Sequence, residues 1–160
     1  MMNSKLYSGF QFVGYKVTDV DFKINKQYDI DKVESNDNNF SLAFSIEVNS
    51  ILEEQRGIVT ITADISKDYK KMNRPFFLKI IIAGFFSVID GKFDDKQLQD
   101  FLKYNGTTAL FPFLRSVVSD ITKSAGVDPV MLPLVNIAEL MKENQKSKPS
   151  TPAKKTLIKE

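Results

Sequence analysis

Apolar and polar positions alternate strictly over residues 40–49. Phe40, Leu42, Phe44, Ile46 and Val48 fall on one side, and Ser41, Ala43, Ser45, Glu47 and Asn49 on the other. A period of two over ten residues predicts a half-buried strand. Residues 56–66 repeat it with Val59, Ile61, Ala63 and Ile65, and the intervening EEQRG is short enough for a hairpin. Upstream, residues 9–25 predict a longer strand whose apolar side changes. Phe10 and Phe12 share one face, Val13, Tyr15 and Val17 take the other, and Val20, Phe22 and Ile24 return to the first. A bulge or bend near Gly14 accounts for the switch. The polar, turn-rich residues 26–39 read as a crossover loop. After SKDYKKMNRP, Pro75 opens a fourth strand running to about residue 89. Both of its faces are apolar apart from Lys79: Phe77, Lys79, Ile81 and Ala83 against Phe76, Leu78, Ile80, Ile82 and Gly84. Four long strands with short links predict one antiparallel sheet.

The period then changes. Leu98, Phe101 and Leu102 suit a short helix over roughly 94–104, which NGTT is expected to break. In the helix that follows, 100° steps place Phe113, Val117, Leu110, Ile121, Leu114, Val118 and Phe111 within an arc of about 160°. A helix lying on one sheet needs about 100°. The surplus calls for a second apolar neighbour, either the short helix or the loop VMLPLV within the chain, or another subunit, and the pattern leaves these open. Pro112 lies in the polar arc near the helix start, where its missing N–H does least harm. Gly126 ends the helix. Asn136 with Glu139 predicts the cap of a last short helix. The reading is thus an α+β domain over residues 1–141, with a long helix and short helices covering one face of the sheet. Residues 142–160 are expected to form a disordered lysine-rich tail.

Composition narrows the chemistry. There is no cysteine and no histidine. Disulfides, thiolate chemistry, catalysis with an imidazole base and the usual histidine-containing metal sites are therefore excluded. The acidic pairs Glu53–Glu54 and Asp94–Asp95 sit in turns where neighbouring side chains diverge, so an enzyme is not expected. The overall charge of +2 is unevenly placed: residues 142–160 hold six lysines and two glutamates, which leaves residues 1–141 at −2. A nucleic-acid binder would carry its basic patch on the folded part. The longest apolar run, residues 76–89, is shorter than the roughly 20 residues that cross a bilayer and contains Lys79. The first ten residues lack a signal peptide's apolar core. No nucleic acid, membrane insertion, cofactor or metal is expected, and the location expected is cytoplasmic.

Several stretches, in this order, resemble the SecB family of export chaperones. FQFVGYKVTDVDF (10–22) is similar to the family's first strand, and PFFLKIIIAGFFSV (75–88) to its fourth, with GFFS close to the usual ending. ALFPFLRSVVSDITKSAG (109–126) is similar to the long helix, whose L-F-P-aromatic-x-R opening is the most specific signature. LPLVNIAEL (132–140) resembles the loop and start of the last helix, with Leu134 where a proline commonly stands. The resemblance spans roughly residues 9–141. It implies a homotetramer, a dimer of dimers, in which the long helices pack between dimers through Leu110, Phe113, Leu114, Val117 and Ile121. It further implies an ATP-independent holdase that binds unfolded polypeptides in long apolar grooves between the sheet, the crossover loop and the loop joining the helices. Carried over by position, the groove is lined by Phe40, Leu42, Phe44, Leu78, Ile80, Ile82, Met131, Leu132 and Met141.

The departures bear on the partner. Export members present acidic residues on the outer face of the sheet to hold the translocase motor. Asp19 matches one such position, whereas Lys23 and Lys79 stand where glutamates are typical. Two such reversals oppose docking of a basic partner. The first reading is therefore a holdase that keeps clients competent for translocation or folding. The alternative is a SecB-like chaperone dedicated to one client, such as the antitoxin of a toxin–antitoxin system, without delivery to the motor. A more distant alternative is a binder of small apolar ligands.

Overall fold

A computed structural model describes residues 9–33 and 40–146. The four strands are β1 (Phe10–Ile24), β2 (Leu42–Ile51), β3 (Arg56–Ile65) and β4 (Phe76–Val88). They form one antiparallel sheet in the order β1-β4-β3-β2, so β1 and β2 are its edges. Three helices follow: α1 (Asp95–Phe101), α2 (Thr107–Ser124) and α3 (Ile137–Lys146).

Strand register explains which side chains reach the core. On β3 and β4, Val59, Ile61, Ala63, Ile65, Phe76, Leu78, Ile80, Ile82 and Phe86 are buried on the helix-facing side. Leu98, Leu102, Leu110, Leu114 and Val118 close over them from the helices. β1 departs from its expected facing. Its pairing with β4 slips twice, between Phe12 and Gly14 and between Val17 and Asp19, where a single irregularity was expected. Each bulge shifts the alternation by one residue. Tyr15, opposite Gly84, and Val17, opposite Ile82, therefore share the helix-facing side with Phe12, Val20, Phe22 and Ile24. The Tyr15 ring stands 4.8 Å from that of Phe113 on α2, and the Phe12 ring 5.2 Å.

The helices also differ from expectation at one joint. Asp94 caps α1: its carboxylate accepts the Gln97 N–H at 2.8 Å while Gln97 Oε1 accepts the Asp94 N–H at 3.0 Å. Asn105 and Gly106 do not then break the chain. Leu102–Gly106 forms a π-helical segment that carries α1 directly into α2. Gly106 and Thr107 keep ordinary right-handed helical angles there. Close approach to the sheet is the reason for a glycine on the strand below, since a methyl group on Gly57 would collide with the Leu102 side chain. Pro112 accordingly lies inside the helix, on an exposed position. Gly126 ends it with φ +81°. α3 starts as expected, with Asn136 Oδ1 accepting the Glu139 N–H at 3.3 Å. It runs to Lys146, so residues 142–146 are helix rather than tail. The rest of the expected tail lies outside the described residues.

The wide stripe of α2 finds its second neighbour within the chain. Thr122 Oγ1 accepts the Val130 N–H at 2.9 Å, and Arg115 Nε donates to the Leu132 carbonyl at 2.8 Å. These bonds hold residues 130–132 along the Phe111–Val118 flank, and Val130 and Leu132 are buried there. The opposite flank is less covered: Phe113 retains 36% of its surface.

Candidate functional site

At one end of the sheet the chain leaves an open cavity of about 480 Å³. Its walls are the end of β1 (Ile24), the crossover segment (Tyr28, Ile30, Val33), the β3–β4 connection (Met72) and the loop after α2 (Val127). Phe40 and Phe76 line it too, their rings 5.9 Å apart, and Phe22 stacks on Phe76 at 5.5 Å. Two asparagines shape the walls. Asn25 is buried and donates through Nδ2 to the Arg74 carbonyl at 2.9 Å, while its Oδ1 accepts the Gln27 N–H at 3.1 Å. Asn73, at φ +49°, bonds both the N–H and the carbonyl of Asp29. The resulting surface mixes apolar side chains with Lys32, Arg74 and Asp128 and is partly open to water, with Ile30 73% and Met72 56% exposed.

From Phe40 the apolar side continues along edge strand β2. Leu42 and Phe44 are half-buried on the helix-facing side, and the Phe44 ring meets Phe111 edge-on at 5.6 Å. Further along lies a shallow, mostly polar depression of about 380 Å³ bounded by Ile46, Glu47, Val48, Asn49, Gln99, Lys103 and Met141. At about 3.3 Å per residue, Phe40 to Val48 spans about 26 Å. A track of that length beside a free strand edge fits an extended segment of polypeptide rather than a compact ligand.

The expected groove residues divide in two. Phe40, Leu42 and Phe44 are partly accessible along the track, and Met131 is 67% exposed on the loop before α3. Leu78, Ile80 and Ile82 have no exposed surface, and Leu132 and Met141 almost none. The correction has a packing cause: β3 and β4 are the central strands, and α1 and α2 seal their inner face. Leu110 and Leu114, expected at an oligomer interface, are likewise fully buried against the chain's own sheet. Phe113, Val117 and Ile121 keep some exposure beside the partly covered inner face of β1, where Val17 is 37% and Val20 44% exposed. Tyr28, Ile30, Val33, Met72 and Val127 escaped sequence reasoning. Their signal was faint, single apolar residues spaced through segments rich in charge and turn formers.

Asp19, Lys23 and Lys79 do share the outer face of the sheet. The register adds two acids: Lys79 lies opposite Asp21 on β1 and opposite Asp64 on β3. Lys23 Nζ stands 3.3 Å from Asp21. This end of the outer face is thus a mixture of signs rather than an acidic field. The acidic pairs have local roles, Asp94 as a helix cap and Glu54 in an ion pair with Arg56 at 3.5 Å. Among the described residues no cluster of His, Cys, Asp or Glu could hold a metal ion, and no helix is long and apolar enough to cross a membrane.

The fold is thus an antiparallel sheet with helices on one face and a partly apolar track along one edge strand. The comparisons identify the family. The model described as preprotein translocase subunit SecB matches residues 7–148, and the chain belongs to that family. A protein-export protein SecB from Ruegeria pomeroyi is 30% identical over 123 residues, covering 76% of this chain and 64% of that one. An uncharacterized protein from Methanocaldococcus jannaschii is 38% identical over 84 residues, 52% of each chain. A protein-export protein SecB from Anaplasma phagocytophilum is 33% identical over 66 residues, 41% of this chain and 42% of that one. The matched stretch thus spans about half the length of these last two relatives. Among solved structures, the Mycobacterium tuberculosis Rv1957 SecB-like chaperone, in complex with a ChAD peptide from the Rv1956 HigA1 antitoxin, superposes with a TM-score of 0.62. It is 15% identical, with 79% of this chain and 91% of that one covered. At that identity the likeness is one of fold.

Proposed function

We propose that this protein is an ATP-independent chaperone that holds non-native polypeptide segments in the track from the Phe40 cavity along β2. The open, elongated track carries the reading, because its length and its accessible apolar side chains suit an extended chain segment better than one compact ligand. Family membership supports it, as does the peptide carried by the fold neighbour. Each apolar side chain buried in the track contributes about 1.5–3 kcal/mol, and Met72 and Met131 repack around different partners. The site lies on Phe40, Leu42, Phe44, Met131 and the newly found Tyr28, Ile30, Val33 and Met72. Self-association through Phe113, Val117, Ile121 and the inner face of β1 would cover the remaining apolar flank, and a tetramer is the expected product.

The second reading is a chaperone dedicated to one client, such as an antitoxin. The mixed charges of Asp19, Asp21, Lys23, Asp64 and Lys79 favour it, because a basic translocase motor gains little from such a face. Titration of the purified chain with an unfolded, slow-folding protein and with its folded form tests both readings, with mass measured in the same runs. Capture of the unfolded form alone, weakened by Leu42→Asp, is the expected result. Failure to capture any of several unrelated unfolded chains would sink the general holdase and leave the dedicated one.

A further inference from the structure

The cavity wall formed by residues 28–33 is an exposed segment containing only one short 3-10 turn, Ile30–Lys32. Its backbone bonds are local: Tyr28 N–H to the Asn25 carbonyl just before it, Lys32 N–H to Asp29 and Val33 N–H to Ile30. Across the cavity, the Asn73 side chain ties it at Asp29. Asn73 Oδ1 accepts the Asp29 N–H at 2.9 Å, and Asn73 Nδ2 donates to the Asp29 carbonyl at 2.9 Å. One primary amide thus satisfies both backbone groups of Asp29, as a neighbouring strand would. The amide is aimed by its own backbone. Asn73 sits at φ +49°, a left-handed conformation that asparagine tolerates better than most residues. The connection carrying Asn73 is itself fixed, because buried Asn25 bonds the Tyr69 and Arg74 carbonyls on either side.

We infer that Asn73 is a positioning residue that sets the aperture of the cavity and keeps its wall ordered before a client arrives. This rests on the function proposed above and deepens it, because the clamped wall is then a preformed part of the client site. A wall already in place loses little further freedom on binding, and that saving appears as affinity. Without the clamp, residues 28–33 would have to be ordered at each capture.

Asn73→Gly is the discriminating variant, since glycine keeps the left-handed backbone and removes only the amide. The full chain and N73G would be titrated with a fluorescent ten-residue peptide bearing one central phenylalanine. Amide hydrogen exchange would be followed in both proteins. The expected result is roughly tenfold weaker binding in N73G, fast exchange at Asp29, and unchanged protection on β3 and β4. N73D, which keeps an acceptor for the Asp29 N–H and loses the donor, should fall between. Wild-type affinity in N73G would overturn the clamp while leaving the chaperone reading intact. Should the unaltered chain capture no peptide, the site assignment falls, and exchange at Asp29 decides the clamp alone: unchanged protection in N73G overturns it.

Discussion

The two faces of β4 carry similar side chains and meet opposite surroundings. Leu78, Ile80 and Ile82 on the inner face are sealed beneath α1 and α2. Phe77, Ile81 and Phe85 on the outer face remain partly accessible, with Lys79 among them. The difference comes from what lies opposite each face, since hydrophobic burial is non-directional and follows the area another element happens to cover. The same contrast separates the sealed centre of the sheet from the β2 edge, where cover thins and the Phe40–Val48 track opens. A core and an open apolar surface are built here from one vocabulary, and position in the sheet decides between them.

The sharpest way to break this comparison is a charge at Ile80. Ile80→Asp buries a carboxylate with no partner and should remove about 4 kcal/mol or more of stability. Urea unfolding would then show no native baseline, and a folded protein with impaired capture would instead return Ile80 to the groove. Truncations set the two faces side by side. Ile80→Ala should lower stability by about 2–5 kcal/mol and Ile81→Ala by about 1 kcal/mol; equal losses would erase the distinction. Gly57→Ala, which drives a methyl group into Leu102, should lose about 1–3 kcal/mol. Thermal unfolding checks it, and an unchanged midpoint would contradict the close approach of the π segment to β3.

Smaller effects belong to the exposed regions. Lys79→Glu places like charges opposite Asp21 and Asp64 and should cost about 1 kcal/mol, shrinking as salt is raised. A salt-independent change would remove the cross-strand charges as its cause. Met72→Asp at the cavity rim should alter stability by less than about 0.5 kcal/mol while lowering capture of an unfolded client roughly tenfold. Intact capture would remove the rim from the site.

Much of the architecture was readable from periodicity. The alternation over residues 40–49 marked β2, the repeat over 56–66 marked β3, and Asn136 with Glu139 marked the start of α3. The joint between α1 and α2 was not readable, because Asn-Gly signals a turn locally while packing on Gly57 holds it helical. The facing of Tyr15 and Val17 was missed for a similar reason, since a second bulge restores what the first displaces. Strand periodicity put Phe40, Leu42 and Phe44 on one face, and the family resemblance assigned them to the groove. Met72 and Ile30 line the cavity from segments outside the strands, which carry no period.

The amino-acid sequence by itself determined which residues are apolar, where alternation gives way to helical spacing, and which family the motifs resemble. Those properties are local, set by backbone period and side-chain chemistry along a few turns of chain. The tertiary structure alone decided which apolar residues are core and which remain open. It also brought Asn73 to Asp29 and set Lys79 between two acids. These outcomes depend on contacts between segments up to tens of residues apart, and no short-range pattern encodes what will lie across from a given face.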